Sequence, residues 1–186
     1  DVYMKGEYAV HVSLPVFGKH NILNALAAFG AAYVCGICPE DIADGLSSYA
    51  GAKRRMEHKG SVCGACVYDD YAHHPTEIYA TLSGAKQFCR GRLICAFQPH
   101  TYSRTYALLD NFKEAFMPAD IVILADIYAA REKDTGLVSS KVIADMLGEK
   151  GIYAGSLERV ASEIKNITRE GDVVIVMGAG DIYKVF

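Results

Sequence analysis

Four ionisable side chains stand close together in the stretch VYDDYAHHPTE: the carboxylates of Asp69 and Asp70 and the imidazoles of His73 and His74. Groups of these types transfer protons and bind the polar parts of ligands. A capped helix start would explain one aspartate and Pro75, because carboxylates and proline both suit the first turn of a helix. It would not explain two histidines, because the same helix end disfavours a protonated imidazole. We therefore expect functional roles for Asp70 and His73. Adjacent histidines seldom share one ion, so no metal site is predicted here.

A second polar cluster is QPHTYSRT, which contains His100 and Arg104. Ser103 could act as a helix cap, which would be a purely structural role. Arg104, however, falls in the first turn of the expected helix, where a cation is unfavourable. A guanidinium in that position commonly receives an anion, and its fork suits carboxylate or phosphate. We predict an anion-binding role for Arg104, with His100 as a further candidate.

Other polar stretches carry a weaker signal. Arg55 in KRRME has a solvated basic surface as its simplest explanation. His20, Asn21 and Asn24 fall near the start of a strongly apolar helix, where planar amides would suit an adenine edge or simply hold the backbone. The GAGD tetrapeptide matches only part of a dinucleotide fingerprint, and no GxxxxGK[ST] phosphate loop occurs in the sequence.

Six cysteines raise the question of a zinc or redox site, since four of them form CGIC and CGAC. Cys63 and Cys66 fall in an expected strand, where residues three apart point to opposite faces and share a metal poorly. A thioredoxin-type motif would need a helix N-terminus. Because nothing marks the chain as secreted, we expect reduced thiols and a cytoplasmic location.

These side chains need a scaffold, and the pattern after about Gly51 supplies one. Apolar strand-like runs alternate with amphipathic helical segments, which indicates an α/β fold: a Rossmann-like, mostly parallel sheet with helices on both faces. Ligands of such sheets bind at the carboxyl ends of the strands. DDYAHHP, QPHTYSRT, DIYAAREKDTG and GAGD each follow a predicted strand. We therefore expect all four clusters along one edge of the sheet.

The first 52 residues differ from the rest, because they offer a short strand and two helices. The first helix, GKHNILNALAAFGAAYVCGI, is apolar almost all round, and such a helix must be buried on most sides. So few elements cannot bury it. We expect residues 1–52 to be the end of a preceding domain and residues 53–186 to be a domain of their own.

Composition excludes several classes of partner. The 186 residues carry a net charge of -3 with no basic stripe, which argues against nucleic acid. Apolar runs are shorter than the ~20 residues of a membrane span. The first ten residues lack the charged leader and apolar block of a signal peptide, so we expect none there.

Together these motifs resemble the Mur ligases, the ATP-dependent amide-forming enzymes of bacterial peptidoglycan synthesis. GKHNILNALAA is similar to the end of their central ATPase domain. GAKRRME, DDYAHHPTEI, FQPHTYSRT, DIYAAREKDTG and MGAGDIY are similar to their C-terminal domain. The pair DDYAHHPTEI and FQPHTYSRT points to the branch that adds L-alanine to UDP-N-acetylmuramate. Some members have arginine where this sequence has Thr101, so Arg104 is the only arginine of that motif here.

The resemblance implies a mechanism and a set of roles. ATP would phosphorylate the muramic acid carboxylate, and the amine of L-alanine would attack the acyl phosphate, with Mg²⁺ offsetting phosphate charge. His20, Asn21 and Asn24 would meet adenine, and Arg55 and Asp70 would face ribose and phosphates. On the amino-acid side, His73, His100 and Arg104 would face the reacting centre.

Three alternatives stay open at this point. The first is the related muropeptide-recycling ligase, which attaches a whole peptide to the same sugar nucleotide. The second is a non-catalytic nucleotide-binding α/β module, and the third is a zinc-binding interaction domain. Because the phosphate loop is missing from this sequence, we expect the fragment to be inactive alone. We also expect a homodimer through the exposed N-terminal helix.

Overall fold

The computed structural model describes residues 1–16 and 18–186, without the side chains of residues 19 and 20. The chain divides into two units, Asp1–Ala52 and Lys53–Phe186, and each is described by itself. Among the described residues, no helix combines the length and the apolar character needed to cross a bilayer.

The N-terminal unit holds a small antiparallel hairpin and two helices. Its elements are β1 (Val2–Met4), β2 (Glu7–Val10), α1 (Lys19–Val34) and α2 (Pro39–Ser47). As expected, the few elements of this unit leave α1 largely uncovered. Phe29 is its one buried residue among those whose burial is described, and Val34 is 85% exposed. The elements of this unit are too few and too short to cover an apolar helix of 16 residues.

The C-terminal unit is built on one mixed sheet. Its elements in chain order are β3 (Glu57–Val62), β4 (Ala65–Asp70), α3 (Pro75–Lys86), β5 (Leu93–Phe97), α4 (Tyr102–Ala107), a 3-10 turn (Leu109–Asn111), α5 (Phe112–Ala115), β6 (Ile121–Ala125), α6 (Ser140–Leu147), a 3-10 turn (Gly148–Lys150), β7 (Gly151–Gly155), α7 (Leu157–Ile167), β8 (Val173–Met177) and a final 3-10 helix (Ile182–Val185).

The strands lie in the order β3-β4-β8-β5-β6-β7. Every neighbouring pair is parallel except β3 with β4. Strand β5 is buried at all five positions, as expected for a central parallel strand covered on both faces. The predicted Rossmann-like α/β class is confirmed.

Two apolar cores lie on the two faces of the sheet. On one face, Phe97 of β5 packs with Leu82 of α3 and Phe112 of α5. On the other, Ile94 of β5 packs with Val160 and Ile164 of α7. The side-chain alternation along β5 sends neighbouring residues to opposite cores, so the helices must lie on both faces.

Two details differ from the sequence expectation. The run SVCGACVYDDY is a hairpin rather than one strand, because Cys63 and Gly64 both adopt positive φ angles (49° and 81°) and reverse the chain. Cys63 therefore lies in a turn, and the argument from strand alternation does not apply to it. The helix expected over Leu108, Phe112 and Ala115 is broken by the 3-10 turn between α4 and α5.

Candidate functional site

The carboxyl ends of four neighbouring strands meet at one edge of the sheet, as predicted. β4 ends at Asp70, β8 at Met177, β5 at Phe97 and β6 at Ala125. The four polar clusters follow those ends directly. In a parallel sheet this edge is where ligands bind, so we call this set of clusters the strand-end site.

His73, His100 and Arg104 are brought together at this site. The rings of His73 and His100 lie 6.0 Å apart between centroids. The His100 ring also stacks on Tyr128, with centroids 5.7 Å apart and planes at 26°. The charge of Arg104 acts on His100, so a guanidinium and two imidazoles share one edge, an arrangement that suits an anionic ligand.

The surroundings of His100 disfavour its protonated form. Burial lowers the pKa of His100, and the positive charges of Arg104 and His73 lower it further, while Glu132 acts in the opposite direction. Its Nδ1 atom is buried and has no partner among the described residues. A neutral imidazole beside the Arg104 guanidinium can accept a proton or a hydrogen bond from a ligand.

The orientation of His73 is fixed by the backbone. Its Nδ1 lies 3.1 Å from the carbonyl oxygen of Tyr71, so in the neutral ring Nδ1 carries the hydrogen and donates it. The same nitrogen lies 3.7 Å from the Glu77 carboxylate. This leaves Nε2 as the atom of His73 that can take a proton.

Arg104 lies in the first turn of α4 and is partly buried. Within the described part of the chain, its guanidinium has neither a carboxylate partner nor a hydrogen bond. A partly buried arginine without a counterion is a binding group for a carboxylate or phosphate.

His74 and Glu77 have structural roles at the start of α3. Nδ1 of His74 accepts a hydrogen bond from the N–H of Thr76. Glu77 accepts from the N–H groups of both His73 and His74. The helix cap therefore explains the second histidine of the motif, and Glu77 also ties the His73 backbone to α3.

The Asp70 carboxylate is hydrogen-bonded to the protein backbone. Its two carboxylate oxygens accept from the N–H of Met56 (2.9 Å) and the N–H of Ala72 (2.8 Å). Burial raises the pKa of Asp70 despite these two hydrogen bonds. Met56 follows Arg55, so the buried carboxylate fixes the segment that presents Arg55. The Arg55 side chain is exposed and, among the described residues, has no ion pair or hydrogen bond.

Arg54 lies at the strand-end site, although the sequence analysis did not single it out. Its guanidinium donates to Asp69 (Nε to Oδ2, 3.1 Å) and to the carbonyl of Gly178 (2.6 Å). It also lies over the rings of Tyr71 and Tyr183, 5.0 and 4.8 Å from their centroids. Arg54 thus joins the segment before β3 to the ends of β4 and β8. Two adjacent arginines look alike in sequence, and only the tertiary contacts tell them apart.

The glycines of GAGD serve close packing. A Cβ atom on Gly178 would lie 2.8 Å from the backbone oxygen of Gln98, and one on Gly180 would lie 2.3 Å from Gln98 Oε1. Gln98 donates to Asp181 and accepts from the N–H of Ile182. These contacts hold the end of β8 against the end of β5. Close packing therefore explains the glycines of GAGD, and no bound nucleotide is needed to explain them.

The remaining predicted residues belong to the N-terminal unit. Asn21 is half-buried and its N–H bonds the carbonyl of Gly18, whereas Asn24 is exposed. The side chain of His20 lies outside the described residues. Of the predicted residues, His73, His100 and Arg104 are brought together at the strand-end site. The positions of Asn21 and Asn24 are described only within the N-terminal unit.

The cysteines are all free thiols. Cys38 occupies the N-cap position of α2 without a side-chain capping bond, and its pKa is raised: the N–H of Asp41 acts to lower it, but the carboxylates of Asp41 and Glu40, together with burial, outweigh that effect. Such a thiol is less reactive than an ordinary one. Within the described residues, no three metal-ligating side chains are grouped as a metal site would require.

Comparison with known proteins identifies a family and several similar structures. Residues 54–180 match the family model described as "Mur ligase, glutamate ligase domain". The chain is 48% identical, over its whole length, to the UDP-N-acetylmuramate–L-alanine ligase of Caldanaerobacter subterraneus subsp. tengcongensis, and spans 41% of that relative. Two solved structures are also similar. The UDP-N-acetylmuramate–alanine ligase of Thermotoga maritima has a TM-score of 0.79 at 28% identity, over 97% of this chain and 39% of its own. A murein peptide ligase of Psychrobacter arcticus has a TM-score of 0.65 at 29% identity, over 94% and 37%.

The family match covers well over half of the chain, including three of the four strand-end clusters entirely and the GAG of the fourth. It also includes Arg54, Arg55 and the three residues gathered at the site. This chain therefore belongs to the Mur ligase family.

Proposed function

We propose that the chain is the C-terminal part of an ATP-dependent amide ligase that joins L-alanine to UDP-N-acetylmuramate in the cytoplasm. Residues 53–186 would be its C-terminal domain, and residues 1–52 the end of its central ATPase domain. The names of the similar proteins support the substrates, but the chain spans only 41% of such a relative. The observation that carries the proposal is the grouping of His73, His100 and Arg104 at the strand ends.

The chemistry assigns each of these residues a task. The sugar carboxylate attacks the γ-phosphorus of ATP and ADP leaves, which gives an acyl phosphate. The amine of L-alanine then attacks the acyl carbon, and phosphate leaves as the amide forms. Arg104 would bind the carboxylate of L-alanine through its unpaired guanidinium. Nε2 of His73 would accept the proton that the ammonium must lose before attack, and neutral His100 would line the same space.

The nucleotide side of the proposal rests on Arg55 and Asp70. An exposed guanidinium without a counterion fits the charge of a triphosphate. Asp70 would act on the nucleotide side mainly by fixing the backbone around Arg55. His20, Asn21 and Asn24 of the N-terminal unit would bind adenine. Mg²⁺ would offset phosphate charge, and no residue of this chain is assigned to it.

The test is phosphate release by the full-length parent protein with ATP, Mg²⁺, UDP-N-acetylmuramate and either L-alanine or a tripeptide. Release with L-alanine supports the proposal. Release only with the tripeptide would assign the recycling reaction instead, and none with either substrate would favour a binding module. The 186-residue chain alone should release no phosphate, because it has no phosphate loop.

The Arg104→Ala variant of the parent tests the assigned role. Loss of a charge-assisted pair costs about 1.5–3 kcal/mol, which corresponds to a roughly 10- to 150-fold rise in the KM for L-alanine. Arg90→Ala is the matched control, because Arg90 is exposed and lies at the opposite edge of the sheet, just before β5. An equal effect of both variants would contradict the role of Arg104.

A further inference from the structure

The loop after β6 reaches across to α4 through one carboxylate. Glu132 accepts a hydrogen bond from the N–H of Ser103 at 2.8 Å. The hydroxyl of Ser103 donates to the other oxygen of the same carboxylate. Residues 29 positions apart in sequence are thus joined by two hydrogen bonds at the start of the helix that carries Arg104.

Helix α4 needs this contact because it has no cap of its own. Its N-cap residue is Thr101, which makes no side-chain capping bond and has a φ angle of 65°. β-branched residues adopt such a backbone rarely and at a cost. With only six residues, α4 also has little internal support. Glu132 supplies from outside the acceptor that an N-cap side chain would normally supply.

The same loop is tied to the residue that precedes α4. The N–H of Thr101 donates to the carbonyl of Tyr128, and the N–H of Tyr128 donates to the carbonyl of Pro99. His100 lies between these two bonds and stacks on the Tyr128 ring. The loop therefore holds the backbone on both sides of His100, and Glu132 holds the first turn that carries Arg104.

Both carboxylate oxygens of Glu132 are engaged at the start of α4. The hydroxyl and N–H of Ser103 hold the pKa of Glu132 below its usual value, and Tyr102 and Thr101 act in the same direction. Both carboxylate oxygens are engaged with Ser103. These two bonds make Glu132 a group that fixes its neighbours.

We propose that Glu132 is a positioning residue for the amino-acid side of the strand-end site: it holds α4 in the place where Arg104 and His100 face one ligand. The proposal rests on the proposed function for the identity of that ligand, although the structural bridge can be tested without it. Removing the carboxylate should loosen α4 and weaken amino-acid binding, while ATP and sugar-nucleotide binding should stay nearly unchanged.

The first experiment measures hydrogen exchange of the Ser103 amide by NMR in the 186-residue chain. Glu132→Ala should speed this exchange roughly tenfold or more, because the amide loses its acceptor. Glu132→Gln should have a smaller effect, since its amide oxygen can still accept one bond. Glu149→Gln is the control, because Glu149 is exposed on the 3-10 turn before β7. Unchanged Ser103 exchange in Glu132→Ala would overturn the proposal.

The second experiment measures the three KM values in the parent ligase. Glu132→Ala should raise the KM for L-alanine roughly 10- to 100-fold, the usual scale for a displaced binding group. The KM values for ATP and sugar nucleotide should change less than about twofold. Equal rises for all three substrates would point to a general structural role and overturn the proposal. If the wild-type parent does not ligate L-alanine, the proposed function fails. The Ser103 exchange result still shows whether the hydrogen bonds from Ser103 to Glu132 hold the start of α4.

Discussion

Arg54 and Arg55 are adjacent in sequence but have opposite surroundings. Arg54 is enclosed by a carboxylate, a carbonyl and two tyrosine rings, whereas Arg55 projects into solvent. The sequence signalled Arg55 through its family motif. The contacts of Arg54 could not be predicted from the sequence, because its partners Asp69 and Gly178 lie at the ends of two other strands. Contacts of that kind depend on strand order, which no local pattern encodes.

The Arg54–Asp69 pair gives a stability prediction at this scale. Asp69 is almost fully buried, and its second oxygen has no partner among the described residues. Burial raises the pKa of Asp69 more than Arg54 lowers it. Arg54→Ala would leave a buried carboxylate without its cation, at a cost of about 3 kcal/mol. We expect the Tm of the C-terminal unit to fall by roughly 6–12 °C in calorimetry.

A double variant separates charge from packing in that result. In Arg54→Ala/Asp69→Asn the uncompensated charge is gone, so part of the lost stability should return. If the double variant is no more stable than Arg54→Ala, the loss comes from the tyrosine contacts of Arg54 instead.

At the scale of elements, the alternation of strands and helices was predictable, and the β3–β4 hairpin was not. Strand β3 carries the polar sequence EHKGSV and lies at the edge of the sheet, so it lacks the apolar signature of the central strands. The turn that joins it to β4 is Cys63-Gly64, which lacks the asparagine or aspartate typical of such turns. The Glu132–Ser103 bridge was equally hidden, because it depends on how the loop folds back over α4.

The hairpin turn gives a prediction of its own. Cys63 has a positive φ of 49°, a conformation that asparagine adopts more readily. Cys63→Asn should therefore stabilise the C-terminal unit by roughly 0.5–1 kcal/mol, seen as a rise in Tm of about 1–4 °C. Gly64→Ala should have the opposite effect, because its φ is 81° and a Cβ atom would lie 3.1 Å from Glu170. A fall in Tm for Cys63→Asn would show that the thiol contributes more than the turn geometry.

At the scale of the whole chain, the two units differ in how well they bury apolar surface. Both large cores are formed entirely by residues after Lys53. In the N-terminal unit, by contrast, α1 leaves Ile22, Leu26 and Val34 exposed. The sequence predicted this imbalance, because one strand and two helices could not cover so apolar a helix. It could not predict which surface would cover it.

This imbalance leads to a prediction about residues 53–186 alone. Because its two cores need nothing from the first 52 residues, this segment should fold alone, with the Tm of its calorimetric transition unchanged from that in the 186-residue chain. The full chain should self-associate through α1, since an exposed apolar face drives association, and the shorter chain should stay monomeric. Sedimentation velocity of both chains over a range of concentrations measures this difference. If residues 53–186 also associate, the contact lies on the sheet domain, and the predicted homodimer through α1 is wrong.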